Sequence, residues 1–233
     1  MNPQLVVAVL CMLGVGVTTS ARAEIEKVDQ LVHNAMRLDK HPDRGGKLFA
    51  RYCSSCHGVS GGGDAEQVIP SLAGQRQAYL IKQFADFSLR ERDSKPMHTV
   101  VSQAPLRDPQ AWADIAAYLN GSPPVDSPQT GDGKDLELGE AIYGEQCASC
   151  HEEDGRGDDE GFVPSLRNQH YSYIVQQVQN LALWHRRDVD ANLIRFLGSF
   201  DQQERMAVAD WLARMRDEPH DRLRLNDDGT AGD

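Results

Sequence analysis

The chain of 233 residues consists of one sequence unit that occurs twice. A shift of 94 positions aligns Gly45 with Gly139 and continues without a gap as far as Gln83 and Gln177. Beyond that stretch the best shift falls to 93, so a one-residue length change lies between about positions 92 and 107. A duplicated unit predicts two similar domains, each with its own core.

Each unit carries the string Cys-x-x-Cys-His. Two thiols at this spacing can meet two vinyl groups on one edge of a porphyrin, and the following imidazole can reach the iron. A redox disulfide and half of a zinc site also use Cys-x-x-Cys, but a histidine directly after the second cysteine disfavours both. The sequence therefore predicts two covalently bound haem c groups. The residues concerned are Cys53, Cys56 and His57 in the first unit and Cys147, Cys150 and His151 in the second.

The first 23 residues predict an export signal that is removed after Ala23. The apolar run from Leu5 to Val17 is too short to span a bilayer, and Ala21–Ala23 supplies small residues before a cleavage site. Only the terminal amino group gives the segment before Leu5 a positive charge, and an uncleaved anchor helix is the alternative. Cys11 leaves with the signal, so the remaining four cysteines all belong to the two motifs.

The spacing of apolar residues predicts an all-α fold. Leu48, Phe49 and Tyr52 share one helical face, and no stretch shows the alternation of apolar and polar residues that a strand would have. A segment rich in proline and glycine separates the units, and a polar, charged segment ends the chain. We predict a signal peptide at 1–23, an N-terminal helical extension at 24–44, a first domain at 45–121, a linker at 122–135, a second domain at 136–216 and a disordered tail at 217–233.

The formal charge of −11 becomes −12 once Arg22 leaves with the signal. This charge disfavours nucleic acid and anionic lipid surfaces as partners. It favours redox protein partners with basic docking faces, and membrane contact only through a partner complex. Simple solubility would also account for an acidic composition.

The first motif is followed by Gly58 and by the string Pro-Ser-Leu-Ala-Gly-Gln at 70–75. Together these residues resemble the dihaem class I cytochromes c of the cytochrome c-4 family, and the resemblance extends from Gly45 to Arg216. It implies two tandem all-α cytochrome c domains with haems near their interface. It also implies electron transfer in the periplasm between redox partners of a respiratory chain.

The resemblance also implies a role for individual residues. His57 corresponds to the proximal iron ligand, the Pro70 carbonyl to the group that orients its ring, and Met97 to the distal thioether ligand. His98 is then a neighbour and not a ligand. In the second unit the corresponding residues are Cys147, Cys150, His151 and Pro164.

The second unit departs from the family at the distal position. Met97 aligns with Ala191 or Asp190, and residues 188–197 contain no methionine. The remaining candidates are His185, Asn192, a water molecule or an empty position, of which we favour an open or weakly ligated iron. Met206 and Met215 are expected inside the terminal helix, and His170 at the surface.

Two functions are compatible with this pattern. An electron carrier is favoured, because nothing else in the chain suggests catalysis. The alternative is a redox enzyme or small-ligand sensor that uses an open second haem.

Overall fold

The computed structural model describes residues 19–126, 129–186 and 188–216. The predicted tail lies outside these residues, and so does the predicted signal apart from its last five positions. All regular structure in the described ranges is helical, apart from two isolated β-bridges, Asp64–Ile69 and Asp158–Val163. The all-α prediction is therefore confirmed. No helix in this part of the chain combines the length and apolar character needed to cross a membrane.

Eleven α-helices are described, and a 3-10 turn at Ala104–Arg107 and a π-helical turn at Tyr143–Cys147 accompany them. The helices are α1 Thr19–Met36, α2 Pro42–Tyr52, α3 Ser54–His57, α4 Gln77–Leu89, α5 Lys95–Val101, α6 Pro109–Asn120, α7 Leu136–Ile142, α8 Ala148–His151, α9 Tyr171–Ala182, α10 Ala191–Ser199 and α11 Gln202–Ala213.

Helices α2 to α6 of the first unit correspond in order to α7 to α11 of the second. The connections differ mainly between the third and the last helix of each unit. Residues 90–94 join α4 to α5, whereas residues 183–190 join α9 to α10; the 3-10 turn precedes α6 only in the first unit. This divergence falls at the length change in the sequence, which is also where the resemblance places the distal ligand.

Helix α1 packs on the first unit, against α4 and α6. Its residues Val28, Val32 and Ala35 are buried in the same apolar cluster as Phe49 and Trp112. The amphipathic helix predicted before the first unit is present and ends at Met36. The second unit has its own apolar cluster, around Tyr143, Val208 and Leu212.

One close helix crossing occurs in each unit, where α2 meets α6 and α7 meets α11. A Cβ atom on Gly45 would lie 2.0 Å from the Asp114 carbonyl oxygen, and one on Gly139 would lie 2.3 Å from the Ala207 carbonyl oxygen. Since a shift of 93 relates Asp114 to Ala207, the same crossing is built twice. Glycine permits the backbone contact, and α2 and α7 lead directly into the two cysteine motifs.

Met215 lies outside the terminal helix, contrary to the prediction. Helix α11 ends at Ala213, where the Arg214 and Met215 N–H groups donate to the Trp211 and Leu212 carbonyls and close the last turn. The Met215 carbonyl accepts from the Asn168 N–H at 3.0 Å. Met206 lies inside α11, as predicted, and its sulfur accepts from the Tyr171 hydroxyl at 3.8 Å.

We predict that Gly45→Ala destabilises the first unit by about 1–3 kcal/mol, because a methyl group cannot share space with the Asp114 carbonyl. Gly144→Ala is the matched control, since a Cβ there meets nothing within 4 Å. Chemical denaturation followed by circular dichroism measures both variants. Equal stabilities for the two would contradict the steric role of Gly45.

Candidate haem sites

Each cysteine motif forms a short helix that directly follows a longer helical segment. Cys53 follows α2, and α3 carries Cys56 and His57. Cys147 and α8 repeat this arrangement in the second unit. All four thiols are free, with the first of each pair half-buried and the second exposed. Free thiols on one short turn fit attachment of a porphyrin edge and not a disulfide.

The histidine of each motif is held by a proline carbonyl. His57 Nδ1 donates to the Pro70 carbonyl at 3.1 Å, and His151 Nδ1 donates to the Pro164 carbonyl at 3.1 Å. This bond fixes the tautomer, so Nε2 keeps its lone pair. Among the described residues Nε2 has no hydrogen-bond partner in either ring, and a metal ligand needs that atom free.

A glycine in each unit allows the turn that contains Pro70 or Pro164, here called the proline turn, to approach the cysteine motif. Gly63 has φ +75° and Gly157 has φ +68°, and a Cβ on either would lie within 2.6 Å of the backbone of the proline turn. The Gly63 N–H donates to the His57 carbonyl at 2.9 Å, and the Gly157 N–H repeats this bond to His151 at 3.0 Å. The turn that orients the imidazole is thus tied to the backbone of the motif itself.

Burial favours the neutral forms of Cys53, Cys147 and His57. Desolvation, followed by repulsion from Cys56, raises the pKa of Cys53 to about 12. Desolvation, followed by Cys150, raises the pKa of Cys147 to about 11. For His57 desolvation lowers the pKa, and the bond to Pro70 only partly opposes this. A neutral imidazole is the form that binds iron.

Met97 lies in helix α5, although its polar surroundings predict a loop. Pro96 falls in the first turn of α5, where a missing N–H costs nothing, and this favours the short helix. Met97 is half-buried and packs against the same apolar cluster as Cys53. His98 is buried, and both ring nitrogens are engaged: Nε2 donates to the Arg92 carbonyl at 2.9 Å, and Nδ1 accepts from Arg90 at 3.1 Å.

The second unit brings neither predicted distal candidate to its core. Asn192 is exposed, and its side-chain oxygen accepts from Arg195 at 2.6 Å. His185 is also exposed, and it lies beyond the end of α9, after Trp184 in a left-handed conformation at φ +59°. Arg90 ends α4 in the same way at φ +65°.

The cytochrome c family model matches residues 42–122 and 136–216. A cytochrome c4 from Stutzerimonas stutzeri is 31% identical over 158 residues, which cover 61% of this chain and 74% of the relative. A crystal structure of reduced recombinant cytochrome c4 from Pseudomonas stutzeri superposes with a TM-score of 0.64 at 25% identity, and covers 76% of this chain and 100% of the other. The chain belongs to the dihaem cytochrome c4 family. A more distant relative, 25% identical over 70% of this chain and 58% of its own length, is the cbb3-type cytochrome c oxidase subunit FixP of Azorhizobium caulinodans.

This cytochrome has two tandem cytochrome c domains, carries two covalently bound haem c groups and transfers electrons. The residues present fit the cofactor: each domain offers two free thiols and one imidazole whose Nδ1 is held while Nε2 is free. The haem supplies the one-electron chemistry, and the protein supplies attachment, an oriented ligand and an apolar surrounding.

The two domains of the cytochrome dock through hydrogen bonds that the repeat makes twice. The Ser71 N–H donates to Gln169 Oε1 at 3.0 Å, and Gln169 Nε2 donates back to the Ser71 carbonyl at 3.0 Å. The Ser165 N–H donates to Gln75 Oε1 at 2.7 Å, and Gln75 Nε2 donates back at 2.9 Å. We call these two reciprocal pairs, Ser71 with Gln169 and Ser165 with Gln75, the amide clamps.

His170, expected at the surface, is buried at this interface. Its Nε2 donates to the Gly62 carbonyl at 2.8 Å. The repeat-related residue Arg76 donates from Nε to the Arg156 carbonyl at 2.7 Å. The prediction was wrong because exposure at this position depends on where the other domain docks.

Two buried arginines extend the interface in the same symmetric manner. Arg92 Nη2 donates to the Tyr173 hydroxyl at 2.8 Å, and Arg186 Nη2 donates to the Tyr79 hydroxyl at 3.0 Å. Asp188, which has no carboxylate counterpart in the first domain, accepts from Arg186 Nε at 2.7 Å. Burial raises the pKa of Asp188, but Arg186 outweighs it, so the net direction is downward. The interface charge is therefore unequal between the domains.

Sequence reasoning did not assign roles to the glutamines and arginines of the interface. A signal was present, because Gln75 repeats as Gln169 and Arg92 repeats as Arg186 under the shift of 94. Identical polar residues in both copies of a repeat, away from the cysteine motif, indicate contacts between the copies.

We predict that replacing Cys53 and Cys56 with Ala leaves a protein with one haem. The second motif has its own thiols, helix and proline turn, so its attachment does not depend on the first. A pyridine haemochrome assay combined with a protein determination measures the ratio, which should fall from two to one. Loss of both haems, or retention of both, would contradict independent attachment.

Proposed function

We propose that this cytochrome carries electrons in the periplasm between redox partners of a respiratory chain. The predicted signal at 1–23 supports export, and covalent haem attachment of this kind takes place outside the cytoplasm. Similarity to the FixP oxidase subunit supports a partner in a respiratory chain. The formal charge of −11 supports basic docking faces on those partners, with membrane contact only through a partner complex.

For the first haem we propose attachment through Cys53 and Cys56 and axial ligation by His57 and Met97. The observation that carries this assignment is the fixed His57 ring, together with a half-buried Met97 at the edge of the cluster that also contacts Cys53. His98 is excluded by the bonds on both of its nitrogens. A thioether opposite the histidine favours a high potential.

For the second haem we propose attachment through Cys147 and Cys150, with His151 as the proximal ligand and an open or weakly ligated distal position. The neighbouring side chains support this, because Asn192 and His185 are both exposed. Met206 contacts the Tyr171 hydroxyl, and Met215 lies beside Gly155.

An open distal position supports a second candidate function, a redox enzyme or small-ligand sensor. The observation that favours it is confined to the second domain, where Asn192 and His185 are both exposed. In this case the first haem would relay electrons to or from the second.

Met97→Ala is expected to abolish the weak iron–sulfur charge-transfer band of the oxidised protein and to lower the potential of the first haem. Optical spectroscopy of the oxidised protein measures the band. Met206→Ala is the matched control, since Met206 contacts Tyr171 and should leave the band unchanged. Persistence of the band in Met97→Ala would show that Met97 is not the ligand.

We expect the reduced wild-type protein to bind one equivalent of carbon monoxide, at the second haem. Optical titration measures the uptake, and resonance Raman spectroscopy measures the spin state of each iron. A wholly low-spin spectrum without uptake would refute the open position. Loss of such a low-spin signal in His185→Ala would indicate ligation by two histidines instead.

A further inference from the structure

The peptide group that follows the proline of each turn makes two functional hydrogen bonds. In the first domain the carbonyl of the Pro70–Ser71 peptide accepts from His57 Nδ1 at 3.1 Å. The N–H of the same peptide donates to Gln169 of the second domain at 3.0 Å. One planar, conjugated group therefore joins the proximal imidazole of one domain to a side chain of the other.

The repeat builds the same connection in the opposite direction. The carbonyl of the Pro164–Ser165 peptide accepts from His151 Nδ1 at 3.1 Å, and its N–H donates to Gln75 of the first domain at 2.7 Å. The two connections cross, because each glutamine contacts the peptide that serves the histidine of the other domain.

Both glutamines are held in place for this contact. Gln75 and Gln169 are each 8% exposed. The oxygen of Gln75 also accepts from the Arg76 N–H at 2.9 Å, and the oxygen of Gln169 also accepts from the His170 N–H at 3.1 Å. A buried side chain whose oxygen takes two donors and whose nitrogen is also bonded has little freedom to turn away.

Hydrogen bonds in series polarise one another. Donation of the Ser71 N–H to Gln169 shifts electron density toward the Pro70 carbonyl oxygen, which then accepts more strongly from His57. A stronger acceptor gives the imidazole more anionic character, and a more basic ligand favours the oxidised iron. Each glutamine should thus lower the potential of the haem in the opposite domain.

We propose that Gln75 and Gln169 are positioning residues that tune the haem potential across the domain interface through the amide clamps. The proposal rests on the proposed function, in which His57 and His151 are the proximal iron ligands. Docking of the domains then contributes to both potentials, and any separation of the domains would raise both.

The test replaces each glutamine with the near-isosteric Met in the full-length protein carrying both haems. Gln169→Met should raise the potential of the first haem, changing its oxidised-to-reduced ratio at fixed applied potential by roughly twofold or more, and leave the second unchanged. Gln75→Met should give the reverse pattern. Spectroelectrochemistry measures both, with the iron–sulfur charge-transfer band marking the first haem.

A second measurement separates tuning from loosened docking. Proton NMR of Gln169→Met should show the His57 Nδ1–H resonance moved upfield, with that of His151 unchanged. Ser172→Ala is the matched control, because it removes a single neutral bond across the interface, from Ser172 Oγ to the Ala65 carbonyl at 2.7 Å, and leaves both clamps intact. It should move neither potential.

Three results would overturn the proposal. They are equal shifts of both haems in each variant, a shift confined to the haem of the substituted domain, and unchanged potentials with an unchanged imidazole proton. If Gln169→Met fails to bind haem, Gln75→Met tests the equivalent connection to the second haem. If both glutamine variants fail to bind haem while Ser172→Ala binds both haems, the glutamines have a structural role only and the proposal is wrong. A wild-type protein without histidine ligation would instead refute the proposed function.

Discussion

In each domain a single turn, Pro-Ser-Leu, performs two tasks that would otherwise need separate elements. Its proline carbonyl holds the imidazole of the motif, and its serine backbone forms the amide clamp to the other domain. The turn can approach the motif because Gly63 and Gly157 carry no Cβ. Ligand orientation and domain docking are therefore properties of the same few backbone atoms, and a change in one must affect the other.

The interface is symmetric in its neutral bonds and asymmetric in its charges. The amide clamps and the arginine–tyrosine bonds each occur twice, whereas the ion pair between Asp188 and Arg186 occurs once among the described residues. Asp86 lies beside it, and burial, partly offset by Lys82, raises the pKa of Asp86 to about 6. Buried charge is costly unless it is paired, so these groups fix one arrangement of the domains and give the two sides different electrostatic surroundings.

The sequence predicted what depends on local residues and missed what depends on docking. The cysteine motifs and the helical period are local, and the structure has the predicted helices. Two predictions were wrong, a terminal helix that includes Met215 and a loop around Met97, because one or two hydrogen bonds decide such boundaries. The burial of His170 could not be predicted, since it arises from contact with Gly62 of the other domain.

The connections between helices differ most in one stretch of each domain. Residues 90–108 and 183–201 carry Met97 in one domain and exposed Trp184 and Leu193 in the other, while the motifs, proline turns and close helix crossings are shared. The cysteine motifs, the proline turns and the amide clamps are thus alike in the two domains, whereas this stretch differs between them. Because the amide clamps contact both proline turns in the same way, we expect a large difference in potential between the haems to originate from the distal ligands or from the unequal interface charge.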